Sequence, residues 1–265
     1  MTLADFRAAR DRAARGPRGS VAFVWGDFID GDDQVVSGAP GLWSPAPVGI
    51  AGIVVTATAA DGIRIGGALV DGTATLFHDS AHGPHLATFP GGAEGVVFSY
   101  DAQRFALQVW NPASELARGF ARIDAYDEDP AWVLRAEVHD VTEGRTVAIA
   151  HHRDPRPVEV PVVAELRFEV EGSPVTLLAG RYGDDYLVSF RDRTSGSETY
   201  GSGRTLAVAM TGTDAATLDF NRATLLPCAF SHAWNCPLPP AENTLPFRVT
   251  AGERNVLAAD GSVLL

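Results

Sequence analysis

Thiol, imidazole and carboxylate side chains crowd into one run near the end of the chain, DFNRATLLPCAFSHAWNCPLPPAENTLPFRVTAGE at 219–253. Cys228, His232 and Cys236 follow a C-x3-H-x3-C spacing. That offers three of the four ligands a tetrahedral zinc site needs, with Asp219, Glu242 or a water left as the fourth. The same thiols could instead be bridged, or could simply be small buried residues. Asp219 or Glu242 could also serve as general base in a hydrolase, with Arg204 facing the developing oxyanion.

A second block lies just upstream, FRDRTSGSETYGSGR at 190–204. Thr194-Ser195-Gly196 and Gly201-Ser202-Gly203 read as two tight turns that present backbone N–H groups. Arg191, Tyr200 and Arg204 flank them, which makes a receptor for a small polar or anionic ligand. Asp219 and Asn221 alternate along the chain, so on one strand both would project to the same face, with Asn243 folding in from the run beyond. The structural alternative pairs Arg204 with Asp192 or Asp219 and uses Asp219 and Asn221 to cap loop backbone.

Composition excludes several classes. Every one of the 21 basic residues is arginine. Lysine Schiff-base chemistry, lysine-anchored pyridoxal phosphate and a Walker-type phosphate loop all need an amine that is missing. A formal charge of −12 disfavours nucleic acid, and the arginines at 7, 10, 12, 15 and 18 read as the solvated side of a helix. No G-x-S-x-G or G-x-G-x-x-G stands in a nucleophile-elbow or dinucleotide context. The histidines at 78, 82 and 85 lie in a Gly/Pro loop and read as exposed. No cofactor is expected, no apolar run is long enough for a membrane helix, and the charged start carries no secretory h-region. The expected location is the cytoplasm, where the cysteines stay reduced.

These residues must be positioned by β-structure. Residues 3–15 have helical periodicity, with Leu3, Phe6, Ala9 and Ala13 on one side. Short apolar runs then alternate with Asp-Gly turns: 20–29, 53–58, 63–70, 73–78, 95–100 and 105–111. After an acidic, turn-like stretch at 112–130 come period-2 strands at 132–141, 146–152, 165–172, 175–183, 185–192, 205–210 and 216–221, with a last strand at 245–252. Residues 153–161 read as a proline-punctuated connector. Five prolines between 227 and 246 forbid an ordinary helix or central strand there, so that run is a rigid irregular wrap.

Several blocks in order, FRDRTSGSETYGSGRTL, LDFNRA, CAF, CPLPPAENTL and AGE, resemble the domain-of-unknown-function family 1684 over at least 188–254. RFALQVWNPASELARGF (104–120) and DPAWVLRAEV (129–138) fit it more loosely. Leu225-Leu226-Pro227 departs from the usual pattern, and so does the N-terminal third. The family is bacterial and archaeal and implies no settled activity.

The sequence therefore predicts a mainly β protein of two packed sandwich- or barrel-like units with a short N-terminal helix, divided as 1–125 and 126–265. A ligand cleft is expected between 190–204 and 219–243, built from Arg191, Thr194, Ser195, Tyr200, Arg204, Asp219, Asn221 and Asn243. A hydrolase and a purely structural or partner-binding domain are the competing readings. Oligomeric state is not legible.

Overall fold

The computed structural model describes residues 1–99, 103–141, 144–154, 156–183, 185–209 and 214–265. The chain is mainly β with a helix at Leu3–Arg15. It divides into two compact units, Arg12–Phe120 and a larger one comprising Met1–Asp11 with Ala121–Leu265.

In the smaller unit, six strands form one antiparallel sheet and four form another among the described residues. Trp43, Ile53, Val55 and Leu76 from the four-stranded sheet share a core with Ile65, Val97, Leu107 and Val109 from the other. Two sheets, each with one apolar face, are thereby buried against each other. The run at 63–70 is not one strand. It folds into a small hairpin, Arg64–Ile65 with Ala68–Leu69, because Gly66 and Gly67 both take positive φ between them. The expected turn at 101–104 lies partly outside the described residues.

The larger unit is built on a seven-stranded antiparallel sheet. Its sequence logic is the period of two. Val133–Asp140 buries Ala136 and Val138 while Arg135 and Glu137 face solvent. Asp185–Phe190 buries Tyr186, Val188 and Phe190 in the same way. The strands Ala164–Val170 and Ser173–Tyr182 are joined by Glu171-Gly172, both at positive φ, the two-residue turn whose twist suits a hairpin. The sheet curls, so that Arg204–Val208 approaches Ala215–Asp219, giving a half-barrel packed around Phe168, Phe190, Phe220 and Leu218.

Five expectations are corrected here. Residues 245–252 are not a strand. The last strand is Glu253–Ala258, and it pairs with Phe120–Ala125, which lay in the stretch read as turn. Within the connector, Val158–Pro161 pairs with Thr146–Ile149 as a hairpin, with Pro161 as the last residue of its strand. Asp219 ends its strand, and Phe220–Arg222 is a 3-10 turn. The arginine row is only partly solvated: Arg12, Arg15 and Arg18 are exposed, whereas Arg7 and Arg10 are half-buried. Arg7 donates to the Tyr126 carbonyl at 2.7 Å, and Arg10 forks onto Glu253 at 2.7 and 3.0 Å.

The proline-rich wrap is irregular, as expected. His152 N–H donates to the Cys236 carbonyl and Leu238 N–H to that of Ala150, each at 2.8 Å. The wrap thus runs alongside 150–152. Among the described residues, no helix is long and apolar enough to cross a membrane.

Candidate functional site

Arg204 opens the strand Arg204–Val208 and is fully buried. One of its terminal nitrogens donates to Asp192 Oδ2 at 2.7 Å and to the Val249 carbonyl at 2.9 Å. The other donates to the carbonyls of Ala251 and Glu253. The guanidinium carbon lies 5.2 Å from the centre of the Phe190 ring. Asp192, equally buried in this ion pair, also accepts from Thr194 N–H at 2.6 Å and Val249 N–H at 3.4 Å. A buried guanidinium needs its charge matched and its N–H groups occupied. The charge of Arg204 is matched by Asp192 and both terminal nitrogens are occupied by the protein, while its buried Nε has no hydrogen-bond partner. The carbonyls of Val249 and Ala251 bond to Arg204 rather than to a neighbouring strand, which helps to explain why LPFRVTAG is irregular.

Four of the turn amides, those of Thr194, Ser195, Gly196 and Gly203, are also committed. Ser195 N–H donates to the Asp192 carbonyl, Gly196 N–H to that of Thr199, and Gly203 N–H to that of Tyr200. Ser195 Oγ accepts from Asp192 N–H at 3.1 Å, and the Thr194 and Thr199 hydroxyls meet at 3.0 Å. Gly203 sits at φ +92°, and a Cβ there would fall 2.3 Å from the Phe190 carbonyl oxygen. Glycine at 203 is therefore a steric requirement of this crossing. Arg191 is exposed, and its backbone ties to Asn243 and Leu245.

Asn221 is buried and acts as a strap. Its Oδ1 accepts from Asp129 N–H at 2.9 Å, and its Nδ2 donates to the Asp129 carbonyl and to Asp219 Oδ1. Asp219 caps the 3-10 turn and pairs with Arg222 at 3.0 Å. Asn243 goes further. Strands 173–182 and 185–190 pair at Gly180↔Leu187. Two residues further along the same register, Leu178 and Ser189 would face each other. There the Asn243 side chain is inserted, accepting from Leu178 N–H at 2.8 Å and donating to the carbonyls of Leu178 and Ser189 at 2.9 and 2.8 Å. A carboxamide thus completes the ladder where the two strands part. Glu242, in the turn Ala241–Asn243, is exposed.

The cysteine–histidine trio does not assemble. Cys228 and Cys236 pack together, but His232 is exposed and stacks on His152 with ring centres 6.0 Å apart. Among the described residues, no group of three His, Cys, Asp or Glu side chains is arranged to hold a metal. In the loop at 78–85, His82 hydrogen-bonds Asp79 at 2.7 Å and holds that carboxyl down at about 2.

A concavity absent from the sequence reading lies where Asn243 parts the strands. Leu178, Gly180, Leu187 and Ser189 line its floor, on the sheet face opposite the core residues Leu177, Ala179 and Val188. Val147, Ile149 and Val160 of the hairpin form one wall, and Pro237, Leu238 and Pro240 of the wrap form the other. The groove holds about 480 Å³, a volume within the range of small-molecule sites. A Cβ at Gly180 would meet only the Leu187 carbonyl, at 4.0 Å, so the space above this glycine is empty. A further hollow of about 590 Å³ lies beside the stacked rings of Trp132 and Phe247.

The fold and site together define a mainly β unit whose polar blocks at 190–204 and 219–243 make internal ties and which carries an apolar groove beside a proline wrap. Residues 118–254 match the family described as protein of unknown function, DUF1684, and the chain belongs to that family. It is similar to an uncharacterized protein from gene locus rrnAC0354 of Haloarcula marismortui, solved by solution NMR, at 32% identity over 55% of this chain and 83% of that one, with a TM-score of 0.44. No curated protein matches it.

Proposed function

We propose that this protein is a binding module for a small, predominantly apolar ligand, held in the groove between the 146–161 hairpin and the 237–240 wrap. The observation that carries this reading is the unfilled apolar space over Gly180, floored by Leu178 and Leu187 and walled by Val147, Ile149 and Leu238. Apolar enclosure supplies affinity in proportion to the area removed from water, and convergent polar groups supply only orientation. Of the polar groups that line the groove, Asn243 and the Ser189 carbonyl are already bonded to each other, and Arg181 is the one charged residue in the lining. An anion at Arg204 is disfavoured, because binding it there would mean breaking a buried ion pair and exposing a closed core.

The test is titration with N-phenyl-1-naphthylamine, an uncharged fluorophore. Wild-type protein gives a saturable rise in emission, and Gly180→Leu, which fills the groove from a backbone that tolerates a side chain, weakens the apparent affinity by at least about tenfold. Equal titration curves for the two folded proteins would overturn the reading.

A further inference from the structure

The hollow beside Trp132 and Phe247 shares no lining residue with the groove. Its floor is the rim of the larger unit's core. Trp132, Leu134, Val170 and Phe247 are each half-buried and pack on that core. The indole is fixed twice over. Its N–H donates to Thr250 Oγ1 at 3.2 Å, and its ring meets the buried Phe220 edge-to-face at 5.9 Å and 74°. The Phe247 ring lies 6.3 Å from it, with the two planes 27° apart. Arg193 is set beside Phe247 by backbone, its N–H donating to the Phe247 carbonyl at 3.0 Å. Arg204 ties the same two segments together from the core, through Asp192 and the Val249 carbonyl.

Charges of both signs line this hollow without closing on each other. Glu169 lies near the end of the strand Ala164–Val170, Glu171 stands in the turn that follows, and Arg193 completes the set. Among the described residues, these three side chains have no ion-pair or hydrogen-bond partner, whereas Arg248, also in the lining, is paired with Glu198. Opposite charges that border one cavity and stay apart leave room between them for a ligand that carries both.

We propose that this hollow binds a free aromatic amino acid as its zwitterion, with the ring against Trp132 and Phe247, the carboxylate on Arg193 and the ammonium on Glu169 and Glu171. Each part of the ligand meets the chemistry that suits it. A planar guanidinium takes a carboxylate through two parallel N–H donors. An ammonium is a donor only, and carboxylates are acceptors only. A ring gains from offset or edge contact with the two aromatic side chains beyond the area it buries. The same arrangement selects against ligands with a single charge. An anion would come up against two unpaired carboxylates, and a cation against an unpaired guanidinium. The volume of about 590 Å³ is within the range of small-molecule sites.

The experiment is calorimetric titration of the full chain with L-phenylalanine, and with 3-phenylpropanoate and phenethylamine, which keep the ring and carry one charge each. Phenylalanine is expected to bind saturably, one per chain, at least about tenfold more tightly than either single-charge probe. Arg193→Ala should weaken phenylalanine by at least about tenfold without weakening phenethylamine. Glu169→Gln combined with Glu171→Gln should weaken phenylalanine and phenethylamine together and spare 3-phenylpropanoate. All three side chains are exposed, so these variants keep the fold. Gly180→Leu, in the groove, should leave phenylalanine binding as in wild type. No saturable heat at about 10 mM phenylalanine, equal affinity for the three probes, or phenylalanine binding that survives Arg193→Ala would each overturn the proposal. So would its loss in Gly180→Leu, which would put the amino acid in the groove instead.

Discussion

At the scale of single residues, Arg204 shows how a sequence signature that resembles a receptor can be an internal fastening. Its guanidinium replaces a strand as the partner of the Val249, Ala251 and Glu253 carbonyls and neutralises Asp192. Arg204→Ala leaves a buried carboxylate and several buried carbonyls without partners. The expected loss is about 3–5 kcal/mol, the usual cost of breaking a buried ion pair from one side, read as a fall in the urea midpoint. Replacing both partners, Arg204→Met with Asp192→Leu, recovers part of that loss. It does not recover all of it, because an apolar side chain supplies no donors to the three carbonyls. A double variant no better than Arg204→Ala would mean that the carbonyls, not the unpaired charge, carry the cost. Unchanged stability in the single variant would refute the fastening role altogether.

At the scale of elements, the N-terminal helix is held by charge as well as by its apolar side. Thr2 and Asp5 make a reciprocal cap at its start, and Arg10 reaches Glu253 on the last strand. Burial works against the Arg10 charge, but the hydrogen bonds and charge of Glu253 outweigh it and raise the guanidinium pKa. Arg10→Ala should therefore loosen the helix and cost about 1.5–3 kcal/mol, the worth of hydrogen bonds to a charged group. Faster hydrogen exchange across 3–11 than in wild type is the expected sign, and unchanged exchange there would contradict it. The strands with one wet and one dry face were legible because alternation writes the burial pattern into the sequence, as in Val133–Asp140. The Leu3–Arg15 helix was legible for the same reason. Phe120–Ala125 and Val158–Pro161 were not, since acids, an alanine-rich start and prolines hide their period. The candidate site was legible only as a set of positions. Arg204, Asp192, Asn221 and Asn243 do meet other residues of the two blocks, but whether a guanidinium or carboxamide faces a ligand or a carbonyl depends on distant backbone. The groove left no local trace, because it arises from Leu178 and Leu187 facing a hairpin and a wrap far away in sequence.

At the scale of the whole molecule, two compact units with separate cores should respond separately to conditions that act on one of them. The stacked pair His152–His232 provides such a condition in the larger unit. Burial first, then the nearby charges of His232 and Arg153, lower the His152 pKa from its ordinary 6.5. Between the folded pKa and that value the unfolded chain binds more protons than the native one, so stability rises with pH across the window. This contribution is fully present above the unfolded pKa and is lost as pH falls through the folded one. Hydrogen exchange compared at about pH 8 and about pH 5, after correction for the intrinsic rate, should show amides of 164–190 losing protection while those of 52–57 and 106–110 change less. His152→Gln should flatten the response in the larger unit without altering the smaller. Equal loss of protection in both units, or a pH response that survives the substitution, would show that repulsion among all charges, rather than this imidazole pair, governs the acid side of the stability curve.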